Sequence, residues 1–266
     1  MDLFPEIPEL ASPNMHRISL ANSGEPLQRG ECVRITGDEA RHAVKVKRLE
    51  PGERIELLTG SGLIAEASMV GAEKLGKKDG WAIDVRVESV RRAPPVYPQI
   101  DVRSAVPKGP RLEEMVDQLS QIGATSWGPL ISERSVVNPR EGKLDRLERI
   151  CEESAKQCGR AWLMRVEPTL QFKDLLDAPG PIVVADQSGE PYKPLRVQRL
   201  TLAVGPEGGW TSAELELLRR SGARITRFGS HVMRVETAAA AACAIIMDLG
   251  QRHGPPPGIP GEEASP

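Results

Sequence analysis

Residues 204–218, VGPEGGWTSAELELL, contain the strongest chemical signal in the sequence. An apolar run ends at Val204, and Thr211 with Glu214 three positions later predicts a capping box at the start of a helix. The glycines therefore fall between the carboxyl end of a strand and the amino end of a helix, where open α/β sheets bind ligands. Glycine there lets a ligand approach the main chain. The alternative is a tight strand-to-helix turn that uses glycine without binding anything.

The turn does not match the common nucleotide-binding loops. A P-loop requires a lysine after its glycines, and a dinucleotide fold requires GxGxxG with an acidic residue about 20 positions later. Neither pattern is present, and residues 221–235 contain no carboxylate. Glu207 would also repel a bare phosphate. We therefore expect a ligand with little phosphate, such as one that carries a positive charge.

A second glycine-bearing stretch, FGSHVMRVETAAAAA (residues 228–242), also follows an apolar strand. We expect the two loops at equivalent ends of neighbouring strands. Glu236 falls in the first turn of the next helix, where the helix dipole favours a carboxylate. It is either a helix-start residue or a proton acceptor. Arg234 is either a surface cation or a bidentate ligand for a carboxylate or phosphate.

Two kinds of segment must position these loops. Residues 17–90 read as short strands and turns, interrupted by a short helix from Asp38 that stops at Pro51-Gly52. RRAPPVYP (residues 91–98) reads as a linker, after which strands and helices alternate as in a parallel α/β layer. We assign a β-rich domain to residues 1–93, an α/β domain to 98–252 and a disordered tail to 253–266.

Composition narrows the possible functions. The 266 residues carry a net charge of −2, so binding to a nucleic acid would depend on local basic patches. Four scattered cysteines and four scattered histidines predict neither a disulfide framework nor a metal site. No leader or membrane-spanning run is evident, so we expect a cytoplasmic protein. Arg41, Lys45 and Arg48 fall on one face of the short helix, as a solvated face or a phosphate track.

The motifs together resemble the ribosomal small-subunit methyltransferase E family of the SPOUT superfamily. The resemblance rests on VGPEGGWTSAEL and FGSHVMRVETA, with SERS at 132–135 and QCGR at 157–160. It covers most of the chain, and RHAVKVKRLEPGERIELLTGSG falls in the PUA-like region. The chain departs from the family pattern at Gln118, Gln121, Lys156, His231 and Val235.

The resemblance implies an α/β fold: a SPOUT domain with a trefoil-knotted, mostly parallel sheet and flanking helices, after an N-terminal PUA-like β-barrel. It implies methylation of N3 of a uridine in 16S rRNA with S-adenosylmethionine, on the 30S subunit, by a homodimer. The small-residue final helix agrees with a dimer, or is simply a close-packed core element. The residues that would surround the cofactor are Val184, Ala185, Val204, Gly205, Pro206, Glu207, Gly208, Gly209, Phe228, Gly229, Val232, Met233 and Arg234.

Uracil N3 is weakly acidic and must lose its proton, so a proton acceptor or an anion stabiliser is required. Arg234 is the candidate stabiliser, and Glu236 and Glu207 are the candidate acceptors. The candidate RNA contacts are Arg41, Lys45, Arg48, Lys108, Arg111, Arg134 and Arg160. Two other functions remain open: a SPOUT ribose 2′-O-methyltransferase, and a non-enzymatic RNA-binding ribosome-assembly factor.

Overall fold

The computed structural model describes residues 15–20, 27–76, 80–137 and 144–254. The described residues cluster into two compact units. Of the described residues, the first unit contains those up to Pro95 and Glu152–Leu163, and the second contains those between Val96 and Cys151 and those from Met164 to Gly254. Glu152–Leu163 thus clusters with the first unit, although it lies within the predicted domain 98–252. Of the predicted tail, His253 ends the last helix, and residues 255–266 lie outside the described residues.

The first unit is built on a mixed sheet. Its described strands are β1 (His16–Ser19), β2 (Cys32–Thr36), β3 (Arg54–Leu58), β4 (Leu63–Leu75) and β5 (Gly80–Arg92), in the order β1-β3-β4-β5-β2. β1 and β3 are parallel, and the other pairs are antiparallel. The alternation of Ile83, Val85 and Val87 in the sequence predicts one buried face of a strand, and all three side chains are buried in the core.

The short helix of this unit differs from its prediction. α1 (Gly37–Arg41) continues into a π-helical turn, His42–Val46, and the helical path ends there rather than at Pro51. Arg48 lies beyond the turn with a positive φ of 57°. The expected row of three cations is therefore wrong at Arg48, because the wider π turn shifts the helical spacing and the backbone then leaves the helix.

Glu56 anchors the segment Glu152–Leu163 to this sheet through Arg17. The Glu56 carboxylate is buried in β3 and accepts hydrogen bonds from Arg17 Nε (2.9 Å) and from Arg91 (3.3 Å). Arg17 also donates to the main-chain carbonyl of Gln157 (3.2 Å). A buried carboxylate is stabilised when its oxygens are paired in this way. Glu56 thus links β3 to β1 and β5, and Arg17 extends the link to the segment near Gln157.

The second unit is built on a parallel sheet with flanking helices. Its elements are β6 (Gln99–Ser104), α2 (Arg111–Ile122), β7 (Ser126–Ile131), α3 (Leu144–Cys158, which belongs to this unit up to Cys151), β8 (Arg165–Val166), β9 (Leu170–Gln171), α4 (Phe172–Leu175), β10 (Ile182–Pro191), β11 (Arg199–Val204), α5 (Ser212–Arg220), β12 (Arg224–Arg227) and α6 (Val235–His253). The strand order is β12-β10-β11-β6-β7-β8, with β9 also paired to β7. Every strand pair described in this unit is parallel.

The helices of this unit bury the faces that their sequence periodicity predicts. Leu112, Met115, Val116 and Leu119 of α2 are all buried, and the helix ends at Gly123 with a φ of 110°. α6 buries mainly small residues, and its Gly250 contacts Pro98 so closely that a Cβ there would lie 2.6 Å from Pro98 Cδ. The small side chains of α6 thus allow close packing within the unit.

Two features of the sheet were not predicted correctly. The sequence of β7 does not indicate a strand, because it contains Pro129, which is rare in central strands. The strands that precede the two glycine-bearing loops are not neighbours, since β10 lies between β11 and β12. Sequence periodicity identifies strands but does not set their order. The trefoil knot stays a prediction, because strand order does not define how the connections thread.

Lys156, one of the departures from the family pattern, donates to Glu39 and Glu153, each at 2.6 Å. Burial disfavours its charged form, but the bonds to these carboxylates outweigh that effect and raise the pKa of Lys156 above 10.5. We expect Lys156→Met to lower the free energy of unfolding by about 2 kcal/mol at pH 7. Lys156→Glu should cost more, since it opposes like charges.

Urea unfolding of the full chain checks this expectation, with Lys74→Met as an exposed control in the same unit. A group whose pKa is raised by folding stabilises fully below its unfolded value. The difference between native and Lys156→Met should therefore be constant at neutral pH and shrink as the pH rises through the raised pKa of Lys156. Equal loss in the Lys74 control would contradict the assignment.

Candidate functional site

Glu214 holds the first glycine-bearing loop in place. This residue of α5 is buried, and its Oε2 accepts hydrogen bonds from the amide (2.9 Å) and hydroxyl (3.2 Å) of Thr211. The Thr211 hydroxyl in turn accepts from the Glu214 amide, which confirms the predicted capping box. Glu214 Oε1 accepts from the amide of Glu133 (2.9 Å). The segment 132–135 is therefore fixed against the same helix start.

The turn before α5 is closed by local contacts. The Gly209 amide donates to the Pro206 carbonyl (2.8 Å), and Gly209 has a φ of 69°, which glycine adopts without strain. Trp210 packs against Gly205, where a Cβ would lie 2.8 Å from the indole. The indole Nε1 donates to the carbonyl of Ala185 at the end of the β10–β11 pairing (3.3 Å). These contacts set the turn against β10 at Ala185, where the pairing of β10 with β11 ends.

The second loop, residues 228–234, is held by the extension of β10. The side-chain amide of Gln187 donates to the carbonyl of His231 (2.7 Å). The ring of Phe228 stacks on Tyr192, with 5.3 Å between ring centroids. Burial raises the pKa of the Tyr192 hydroxyl. The loop leads directly into α6, whose first residue is Val235.

The two loops enclose a cavity of about 290 Å³ at the carboxyl ends of β10, β11 and β12. Its lining residues are Ala185, Asp186, Gln187, Val204, Gly205, Pro206, Glu207, Gly208, Gly209, Trp210, Thr226, Arg227, Phe228, Val232, Met233, Val235 and Ala238. The volume is at the lower end of the range for small-molecule sites, and the lining combines apolar side chains with a few charges. This cavity is the candidate ligand site of the second unit.

Most of the residues predicted to surround a cofactor lie in this lining, and three do not. Val184 is buried in the core beneath the cavity, and Gly229 and Arg234 are outside the lining, although both belong to the second loop. Sequence reasoning did not select several lining residues: Asp186, Gln187, Trp210, Thr226, Arg227, Val235 and Ala238. Residues 181–186, PIVVAD, form an apolar run that ends in an aspartate, and this pattern was the signal available for Asp186.

The two candidate catalytic residues stand in different surroundings. Arg234 is exposed at the amino end of α6. Glu236, in the first turn of the same helix, is mostly buried and forms an ion pair with Arg111 of α2 (3.7 Å between Oε1 and Nε). Its Oε2 is buried and has no hydrogen-bond partner among the described residues. An unpartnered buried oxygen of this kind is a candidate acceptor of a proton or hydrogen bond.

The candidate RNA contacts are dispersed over the two units. Arg134 donates to the carbonyl of Gly208 (2.7 Å), so it supports the first loop, and Arg111 is paired with Glu236. Lys108 is exposed in the second unit, and Arg160 is partly buried in the first. Arg41 and Lys45 are exposed on α1 and the following π turn. Arg48 is exposed beyond that turn.

The described ranges contain no group of three metal-ligating side chains placed to hold an ion. None of the helices in those ranges combines the length and apolar character needed to span a bilayer. The charged groups of the cavity are the carboxylates Asp186 and Glu207 and the guanidinium of Arg227. The cavity therefore offers main-chain, apolar and carboxylate contacts, which suit an uncharged or cationic organic ligand better than a polyphosphate.

Comparison with known families identifies the class of the protein. Residues 94–247 match the family model of an RNA methyltransferase domain, and residues 35–76 match that of an RNA methyltransferase PUA domain. The parallel sheet with its loop-bounded cavity and the preceding mixed sheet are thus those of an RNA methyltransferase with a PUA-like domain, as the motifs indicated.

Individual relatives narrow this class. Ribosomal RNA small subunit methyltransferase E of Synechocystis is 30% identical over 228 residues, 82% of this chain and 73% of its own. The Mycobacterium tuberculosis protein of the same name is 30% identical over 240 residues, 84% of this chain and 88% of its own. The chain belongs to the ribosomal RNA small subunit methyltransferase E family, which confirms the resemblance.

Solved structures agree with the fold. The ribosomal RNA small subunit methyltransferase E from Neisseria gonorrhoeae, bound to S-adenosyl methionine, superposes with a TM-score of 0.74 at 25% identity and covers 88% of this chain and 98% of its own. A probable rRNA-methyltransferase from Porphyromonas gingivalis gives a TM-score of 0.77 at 24% identity, with 90% and 100% coverage. Both resemblances extend over the PUA-like and parallel-sheet regions.

We expect Glu214→Ala to lower the free energy of unfolding by about 2–4 kcal/mol, because it leaves the buried amide of Thr211 and the amide of Glu133 without their acceptors. Glu216→Ala on the same helix is the matched control. It removes only an exposed ion pair with Arg220 and should cost less than about 0.5 kcal/mol. Urea unfolding measures both variants, and equal losses would show that Glu214 does not hold the loop.

Proposed function

We propose that the chain transfers a methyl group from S-adenosylmethionine to N3 of a uridine in 16S rRNA, with the 30S subunit as substrate. The observation that carries the proposal is the cavity between the two glycine-bearing loops at the strand ends. The Neisseria gonorrhoeae relative, described above with bound S-adenosyl methionine, supports the choice of cofactor. The proposed substrate implies a cytoplasmic protein.

The lining residues fit this cofactor. Val232, Met233 and Phe228 supply apolar surface for an adenine ring, and Asp186 and Glu207 supply negative charge for a sulfonium or ammonium group. No side chain extends from the glycines of the turn, so a ligand can approach the main chain. When bound, S-adenosylmethionine supplies a methyl group activated by a sulfonium, and the protein supplies position and electrostatics.

The chain's own residues must bind the uracil, orient it and manage the N3 proton. Arg234 is exposed at the start of α6, where its guanidinium can stabilise the uracil anion or hold a phosphate. Two carboxylates are candidate acceptors of the proton. Glu207 lines the cavity and is exposed. Glu236 is paired with Arg111 through Oε1, and its buried Oε2 has no hydrogen-bond partner among the described residues.

Several parts of the proposal rest on the family alone. A homodimer and a knotted second domain are implied by the resemblance. RNA binding through Arg41, Lys45, Arg48, Lys108, Arg111, Arg134 and Arg160 is a proposal too. For Arg111 and Arg134, the contacts to Glu236 and Gly208 offer a structural role as well. Loss of a phosphate contact should weaken binding and lower its salt dependence.

Methyl transfer from labelled S-adenosylmethionine tests the function directly. We expect incorporation into isolated 30S subunits and less into naked 16S rRNA, with the methyl group on the uracil base when the nucleosides are analysed by mass spectrometry. A methyl group on the ribose would instead identify a 2′-O-methyltransferase. An assembly factor without activity should release no heat with S-adenosylmethionine in calorimetry and should transfer no methyl group.

Variants at the start of α6 test the residue roles. We expect Arg234→Ala to lower kcat at least tenfold, because it removes a stabilising charge, while the Kd for S-adenosylmethionine changes less than about twofold. Arg219→Ala, an exposed arginine of α5, is the matched control. The assignment is wrong if a folded Arg234→Ala protein keeps its turnover. Comparing Glu236→Gln with Glu207→Gln identifies the acceptor, since only its loss should lower kcat steeply.

A further inference from the structure

The first unit carries a surface groove that the methyl-transfer site does not use. The groove has a volume of about 530 Å³ and lies between α1, the π-helical turn and the start of β5. Its lining residues are Asp38, Arg41, His42, Lys45, Val46 and Trp81. Trp81 lies outside the matched PUA region, residues 35–76, and sequence reasoning did not select it.

The groove places an aromatic ring beside cations. Lys45 Nζ lies 5.0 Å from the centroid of the Trp81 ring, within the range of a cation–π contact. Trp81 is partly buried against the core, so its ring is held in place while part of it remains accessible. Val46, an apolar side chain, is 63% exposed at the same groove. The wall of the groove is therefore both apolar and basic.

The charges of the groove favour an anionic ligand. The lining contains two cations, Arg41 and Lys45, and one carboxylate, Asp38. The groove is therefore more basic than the protein as a whole, whose net charge is −2. The indole Nε1 of Trp81 is buried and has no hydrogen-bond partner among the described residues. A planar ligand with attached negative charge matches this combination of ring, apolar side chain and cations. Nucleotides have these properties, because every base has a stacking face and every linkage a phosphate.

We propose that this groove binds one nucleotide of single-stranded RNA, with the base against the Trp81 indole and the flanking phosphates held by Arg41 and Lys45. The inference rests on the proposed function for its choice of RNA. Single strands are favoured over a duplex because paired bases are stacked on each other and cannot lie against a protein ring. Lys45 is exposed and has a flexible stem, so it can contact the ring or a phosphate.

The π-helical turn explains how the groove forms. The amide of Lys47 donates to the carbonyl of His42 (3.0 Å), five residues earlier, and this widened turn contributes His42, Lys45 and Val46 to the lining. π-helical turns occur frequently at functional sites. Arg48, beyond the turn, is not among the lining residues. Arg41 and Lys45, but not Arg48, therefore belong to the proposed nucleotide site.

Fluorescence anisotropy of labelled hexauridylate with the full chain tests the proposal. We expect Trp81→Leu to raise Kd at least about fivefold through lost stacking, with an unchanged salt slope. Trp81→Phe keeps a ring and should stay within about threefold of the native chain. Lys45→Met should weaken binding and reduce the salt slope, whereas Arg29→Met, an exposed cation outside the groove, should alter Kd less than about twofold.

A second measurement uses only the native chain and the conservative variant Trp81→Phe. Hexauridylate should quench the tryptophan fluorescence of the native chain, and the quenching should disappear in Trp81→Phe. Absence of quenching in the native chain, tighter binding of an RNA duplex or an acidic peptide, or equal Kd values for Trp81→Leu and the native chain would each overturn the nucleotide site. If hexauridylate binds at Trp81 while methyl transfer to 30S subunits fails, the proposed function falls and the groove assignment stands.

Discussion

The buried carboxylate of Glu214 is the interaction on which the candidate site depends. It accepts hydrogen bonds from the amide and hydroxyl of Thr211 and from the amide of Glu133, so two chain segments meet at one charge. The turn that borders the cavity begins immediately before Thr211, and Arg134 reaches back to the carbonyl of Gly208. A charge buried in this way is tolerated because both of its oxygens are paired. The turn that forms one wall of the cavity is thus held by residues that do not line the cavity themselves.

The second unit shows why such anchoring is needed. β10 separates the strands that carry the two loops, and both loops line the cavity together with Ala185, Asp186 and Gln187 of β10. Trp210 reaches the carbonyl of Ala185, and the extension of β10 past this residue reaches the second loop through Gln187. β10 continues past its pairing with β11 and pairs again with β12 at Glu190 and Pro191, and this continuation serves as a common support for both loops. The cavity volume then depends on side-chain contacts as well as on sheet geometry.

Local features could be predicted from the sequence, and long-range ones could not. The alternation of Ile83, Val85 and Val87, the apolar face of α2 and the Thr211–Glu214 capping box each follow from spacing within a few residues. The order of β10, β11 and β12, the pairing of Arg111 with Glu236 and the groove beside Trp81 depend on residues far apart in the chain. Pro129 within β7 and the π turn before Arg48 contradict the usual local rules.

The hydrogen bond from Gln187 to residue 231 ends on a peptide carbonyl, not on a side chain. Any amino acid at that position presents the same acceptor, so evolution can exchange the side chain there while the backbone path of the loop is preserved. The departure from the family pattern at His231 is consequently compatible with an unaltered loop. A substitution at residue 231 changes the side chain that is exposed to solvent, but it keeps the main-chain carbonyl that holds the loop to Gln187.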